Sequence, residues 1–314
     1  MNVAYKIGKK TILFSNNIVD TAVIAIILLL VAIGCYAIWD SNQVFQTANA
    51  TRYEIYKPTI KDEGKSFAEL QAINPDIFGW LTVYGTHVDY PLVQGLDNMH
   101  YVNTSAEGQY SLSGAIFLDT ACSRDFADFN SLIYGHHMEK QAMFGEIGYF
   151  TDKSYFDARK YGMLYYGGQE HGLEFFAVVH ADAYDDTVFR TGIENRIDQQ
   201  AYLDMLLERA IYSREIQVTA DDRIVLLSTC SASSTNGRDI LIGRITDELY
   251  EDTFKINETK NIIGKILTVD GLDSLWSQIS IWIKLALIGL LFLVRNRFNK
   301  KYKHDISDER RQML

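Results

Sequence analysis

The chain has 314 residues, of which 47% are hydrophobic and 22% charged. That is enough for a sizeable core and excludes a disordered or low-complexity chain. Three cysteines cannot build a multi-bridge framework, and three prolines exclude a Pro-rich stalk. A formal net charge of -10 leaves no general basic face for phosphates, so nucleic acid is not an expected partner. Charge is uneven along the chain: residues 1–17 carry +3 and 295–314 carry +4, leaving -17 for residues 18–294.

The basic N-terminus (1–17) precedes an uncharged, mostly apolar run at Thr21–Trp39, just long enough as a helix to span a hydrocarbon core. Lysines before it and Asp40 after it place the N-terminus in the cytoplasm and the bulk of the chain outside. A cleaved signal peptide is the alternative, but the run ends in Cys35-Tyr-Ala-Ile-Trp39 rather than a small-residue cleavage site. The expected anchor is 18–39. A second apolar segment, 275–294, is followed at once by Arg295, Arg297, Lys300, Lys301 and Lys303, a stop-transfer pattern. Lys284 inside it leaves open a helix lying on the membrane surface. With 275–294 spanning, both termini are cytoplasmic and 295–314 is a basic cytoplasmic tail.

Between these segments, 40–66 reads as a helical linker, and Ser66-Phe-Ala-Glu69 fits a capping box before an apolar face of Phe67, Leu70 and Ile73. Asn74-Pro75 ends that helix. The period then changes to two. Strands are expected at 80–84, 88–93, 115–118, 131–134, 162–166, 175–180, 223–228 and 239–245, separated by turns containing Gly or Asp. Eight short strands suggest a barrel or sandwich over 67–250, with 251–274 as a second linker. One helix, Ile197–Tyr212, is expected to present Ile197, Tyr202, Met205, Leu206 and Ala210 on one face.

Cys35 falls in the apolar run, and Cys122 in a turn where an ordinary loop thiol is expected. Cys230 differs. It terminates the strand Ile224-Val-Leu-Leu-Ser-Thr229 and is followed by small polar residues, so the sheet would fix it while leaving it open to substrate. Arg238 and Arg244 follow, and a guanidinium beside a thiol favours thiolate and can stabilise an oxyanion. A buried structural cysteine is the alternative. A cysteine nucleophile needs a base, and His136 and His137 follow a strand and Gly135, where the backbone can turn sharply. His180 is expected as a core or rim histidine. Adjacent histidines on extended backbone point to opposite sides, so the pair is not expected to hold one metal ion.

Tyr134-Gly-His-His-Met138 with Met143-Phe-Gly145, then Leu227-Ser-Thr-Cys230 with Gly237-Arg238, resembles a sortase. Asn74-Pro-Asp-Ile-Phe-Gly-Trp80, Asp89-Tyr-Pro-Leu-Val-Gln-Gly95 and Ile116-Phe-Leu-Asp119 match class B in order. The resemblance covers Phe67 to Ile245. It implies a mainly β fold, an eight-stranded closed barrel with peripheral helices, here flanked by two transmembrane helices. It also implies Cys230 as nucleophile, His136 as general acid and base, and Arg238 as the group that stabilises the oxyanion or holds the peptide. His137 stands where the class often has Asn, and Leu226 departs from the usual start of the cysteine motif. The implied reaction cleaves the C-terminal sorting motif of a secreted protein through a thioacyl intermediate and joins the new end to an amine. No cofactor or metal is implied, because the thioester conserves the acyl energy. The second apolar segment is more typical of sortases that polymerise pilins, which points to a pilin lysine as the amine. A cell-wall precursor amine is the alternative. Rival readings are a membrane-bound cysteine hydrolase and a non-catalytic surface scaffold.

Overall fold

In the computed structural model, which describes residues 3–58, 65–231 and 235–255, the N-terminal apolar run is part of one helix, α1 (Val3–Ala48). Within it Ile18–Ala48 is long and apolar enough to cross a membrane, and none of its most apolar window is buried. Helix and linker are therefore continuous up to Ala48. The end of α1 is tied down by Tyr90, whose hydroxyl donates to the Ala48 carbonyl at 2.7 Å and accepts from the Met143 N–H at 2.9 Å. The Lys140 ammonium lies 4.1 Å from the centroid of the Phe45 ring. The segment 275–294 and the tail 295–314 lie outside the described residues.

After α1 the chain makes two short 3₁₀ turns, Ala50–Arg52 and Glu54–Tyr56, the first capped by the Asn49 side chain, which accepts from the Thr51 N–H. Helix α2 (Lys65–Ile73) starts one residue before the expected cap, so Ser66 sits in the first turn, its hydroxyl donating to the Lys57 carbonyl. Phe67 and Leu70 are buried, but Ile73 is 52% exposed, because the helix ends there and Asn74 turns the chain away.

The strands are β1 (Ile77–Val83), β2 (Asp89–Val93), β3 (Ile116–Leu118), β4 (Asn130–Tyr134), β5 (Tyr161–Tyr166), β6 (Gln169–Asp182), β7 (Ala210–Ser213), β8 (Arg223–Cys230) and β9 (Gly237–Thr246). A short helix α3 (Lys153–Ala158) precedes β5, and α4 (Arg196–Glu208) lies between β6 and β7. The sheet runs β5-β1-β2-β3-β4-β8-β9-β6-β7, and β5 also pairs with β6. That last pairing closes eight strands into a barrel and leaves β7 as a short addition at the edge of β6. The pairs β2–β3 and β4–β8 are parallel; the others are antiparallel.

All eight expected strands are present, with ends shifted by a few residues. The expected helix at Ile197–Tyr212 is shorter. It stops at Glu208, and Ala210–Ser213 form β7, because a β-branched and aromatic pair, Ile211-Tyr212, finds an open edge on β6. Ile197 is 83% exposed rather than on the packed face, while Tyr202 and Leu206 are buried as expected and Leu203 joins them.

Strand β8 is buried on both faces. Val225 and Leu227 join the core that also holds Ile133, Phe175 and Val178. Ile224 and Leu226 join a second core beneath α4, with Ile240, Ile242 and Leu203. This explains why β8 reads as a continuous apolar run rather than an alternating one. The Tyr90 hydroxyl is the polar joint between α1 and this body. Tyr90→Phe strands a buried N–H and a buried C=O, at a cost of about 2 kcal/mol. Thermal unfolding in detergent should fall by about 4–8 °C, readable by circular dichroism.

Candidate active site

The register of β4, β8 and β9 decides what meets at one barrel edge. In the parallel pair, Tyr134 is level with Ser228, and the Gly135 N–H donates to the Ser228 carbonyl at 3.2 Å. Two residues further along each chain stand His136 and Cys230. In the antiparallel pair Cys230 is directly opposite Arg238. Directly opposed residues project from the same face, so the Cys230 thiol and the Arg238 guanidinium leave the same side of the sheet. Cys230 is exposed at the strand end, as its sequence position implied.

His136 is half-buried, and its Nε2 lies 2.8 Å from the Val102 carbonyl. A carbonyl can only accept, so Nε2 carries the hydrogen and Nδ1 is the nitrogen that can exchange a proton. Gly114, at φ +59°, holds its backbone against this ring: a Cβ there would lie 3.1 Å from His136 Cδ2 and 2.6 Å from the Tyr101 and Val102 carbonyls. Gly135 serves differently from the expected hinge. Its φ is not left-handed, and it is required by close packing, since a Cβ would lie 2.5 Å from Ile116 Cδ1 and 2.7 Å from the Phe144 ring. Beyond the histidines the chain turns back tightly, with Lys140, Gln141 and Met143 at positive φ and the Phe144 N–H donating to the His136 carbonyl at 3.0 Å.

Among the described residues Arg238 forms no ion pair, and its Nη1 donates to the Gly237 carbonyl at 3.0 Å. Arg244 is not part of this edge. It sits opposite Ile224, at the far end of β8, and is held by Glu174 at 2.6 Å and Asp222 at 3.8 Å.

His137 meets different neighbours from His136. Its Nδ1 is buried with no hydrogen-bond partner among the described residues, and the residue lines a cleft of about 350 Å³ with Tyr149, His180, Ile211, Ser231 and Asp239. His180 is 39% exposed at its side chain and its Nδ1 donates to Asp239 Oδ1 at 2.8 Å. By sequence His180 is a core or rim histidine and Asp239 is a residue of the last strand with no further role. The pair is non-local, joined by the β6–β9 register that sets His180 opposite Asp239.

Cys122 is a loop thiol, as expected, and it is buried, its Sγ 3.9 Å from the Asn130 carbonyl. Burial, with Asp119 and Asp128 nearby, pushes the Cys122 thiol up to about 11. At pH 8 its thiolate fraction is then about one in a thousand. Brief alkylation of the folded protein at that pH, mapped by mass spectrometry, should label Cys230 and spare Cys122.

No family model matches the chain. Curated relatives and solved structures do. It is 30% identical over 188 residues to "Sortase B" of Listeria monocytogenes, a match covering 59% of this chain and 75% of the relative. It is similar to the solved sortase B from the type II pilus of Streptococcus pneumoniae, with 47% identity, TM-score 0.52, and coverage of 58% of this chain and 99% of the other. It is also similar to a Streptococcus pyogenes class B sortase involved in pilus biogenesis, with 42% identity, TM-score 0.52, and coverage of 58% and 99%.

Proposed function

The chain belongs to the sortase B family and is a cysteine transpeptidase, and we propose that Cys230, His136 and Arg238 carry its reaction. The observation that supports this assignment is the β4–β8–β9 register, which brings the three to one barrel edge from separate parts of the chain. The Cys230 thiol gives its proton to His136 Nδ1, and the resulting thiolate attacks the carbonyl at the cleavage point of a sorting motif. The tetrahedral oxyanion is met by Arg238, whose guanidinium leaves the same face as the thiol. As the peptide C–N bond breaks, His136 gives its proton to the departing amine, leaving a thioacyl enzyme. An incoming amine then attacks the thioester, His136 takes its proton, and the thiolate leaves.

We propose further that α1 anchors the enzyme in the cell membrane with the barrel outside, that both termini are cytoplasmic, and that the substrates are pilin subunits. Lysines ahead of the apolar run and a cluster of Lys and Arg after the second one support the topology. The pilus role is supported by the two streptococcal relatives, both described in connection with pili. The amine is then a pilin lysine, and repeated transfer builds a covalent polymer. Tethering enzyme and membrane-borne substrates to one surface raises their effective concentration.

Three outcomes are expected. Cys230→Ala abolishes the acyl intermediate, seen as loss of the mass adduct with a sorting-motif peptide, while circular dichroism is unchanged. His136→Ala slows transfer by about a hundred- to ten-thousand-fold, and His137→Ala costs far less; the reverse order would assign the role to His137. Deleting the gene removes SDS-resistant, high-molecular-weight ladders of surface protein. Loss of a monomeric wall protein alone would instead make the amine a cell-wall precursor.

A further inference from the structure

The amine that resolves the thioacyl enzyme poses a proton problem. A lysine amine is an ammonium at neutral pH, and an ammonium has no lone pair with which to attack. Resolution therefore requires the loss of two protons. His136 takes the one released as the amide forms, having given its own to the departing amine in the first half-reaction. The ammonium proton needs a different acceptor.

We propose that the cleft behind Cys230 admits this ammonium and that the His180–Asp239 pair takes its first proton. The inference rests on the transpeptidase reading above and adds the site of the second substrate to it. Adjacent residues on extended backbone project to opposite sides, so Cys230 and Arg238 face one way while Asp239 faces the other. Ser231, the residue after the nucleophile, lines the cleft, as do His137, Tyr149, His180, Ile211 and Asp239. The cleft thus reaches the end of β8 from the side that the Cys230–Arg238 face leaves free, and the amine approaches the thioester without crossing the acyl peptide.

Its chemistry fits a cation on an aliphatic stem. Asp239 is buried to within 8% of its side-chain surface and supplies the negative charge, while Ile211 and Tyr149 offer apolar surface to methylenes. Because His180 Nδ1–H donates to Asp239 Oδ1 at 2.8 Å, the ring's lone pair is at Nε2. An N–H bond of the ammonium breaks, an Nε2–H bond forms, and Asp239 balances the imidazolium charge. The half-exposed His180 ring then returns the proton to water. The free amine attacks the thioester carbon, the C–S bond breaks, and His136 receives the second proton.

The test compares two nucleophiles in the full-length enzyme loaded with a sorting-motif peptide. An alkyl amine such as a lysine derivative must lose a proton before attack; hydroxylamine is uncharged at neutral pH and need not. Asp239→Asn and His180→Gln should each lower transfer to the alkyl amine by about ten- to a hundredfold relative to transfer to hydroxylamine by the same variant. Raising the pH, which frees the alkyl amine in solution, should narrow the gap. Equal losses with both nucleophiles would mean that the pair only supports the fold, and no loss with either nucleophile in both variants would mean that the ammonium is deprotonated elsewhere; either overturns the proposal. His180→Gln alters a half-exposed side chain and keeps the test available where Asp239→Asn fails to fold. Wild-type enzyme that forms the acyl intermediate but transfers it to neither nucleophile would overturn the transfer reading itself.

Discussion

The parallel pairing of β4 with β8 is the constraint on which the site depends. Most neighbours in this barrel run antiparallel, so their ends fall at opposite edges. Parallel neighbours end at the same edge, and this pair delivers His136 and Cys230 there together. Strand β9 then returns antiparallel from Cys230 and sets Arg238 opposite it within a short connection. A one-residue slip in either pairing would turn one of the three to the wrong face, since side chains alternate along a strand. Both faces of β8 are packed, Val225 and Leu227 on one side and Ile224 and Leu226 on the other, and this double burial holds the register.

Packing also sets the histidine. His136 lies just past β4, where no ladder holds it, so local contacts must. The Val102 carbonyl fixes its tautomer at 2.8 Å, Gly114 lets backbone approach the ring, and the Phe144 N–H ties its carbonyl. The same loop reaches Tyr90 through the Met143 N–H, and Tyr90 holds the end of α1. A chain of hydrogen bonds and packed backbone thus runs from the apolar helix to the loop that carries the histidine.

Much of this was legible in the sequence because it is local. Period-two segments bounded by turn residues marked every strand of the closed barrel, and a thiol at the end of an apolar strand stood out from Cys122 and Cys35. The burial of Cys122 was not legible, since a turn position gave no sign that its Sγ packs against the Asn130 carbonyl. Strand β7 was hidden because Ala210–Ser213 continues the helical pattern of α4, and only the open edge of β6 decides for strand. Gly135 looked like a hinge because sequence does not show that Ile116 and Phe144 crowd it. His180 and Asp239 were out of reach for a further reason: their partnership exists only in the β6–β9 register, and each residue alone is unremarkable on its strand.

The alternation of β9 gives that partnership its wider sense. Arg238 and Asp239 are neighbours in sequence and opposite in charge, and the pleat sends them to opposite faces at the end of β8. On the thiol face a guanidinium, free of ion pairs among the described residues, suits the negative charge that develops on a carbonyl oxygen. On the other face a carboxylate already bonded to an imidazole suits a positive charge that must be relieved of a proton. Placed on one face, the two side chains would form an ion pair and cancel, and neither would act on a substrate at full strength. The strand keeps them apart at the cost of no extra structure. On the reading proposed above, two charge-dependent steps, oxyanion stabilisation and ammonium deprotonation, are served at one thioester by neighbouring residues of a single strand.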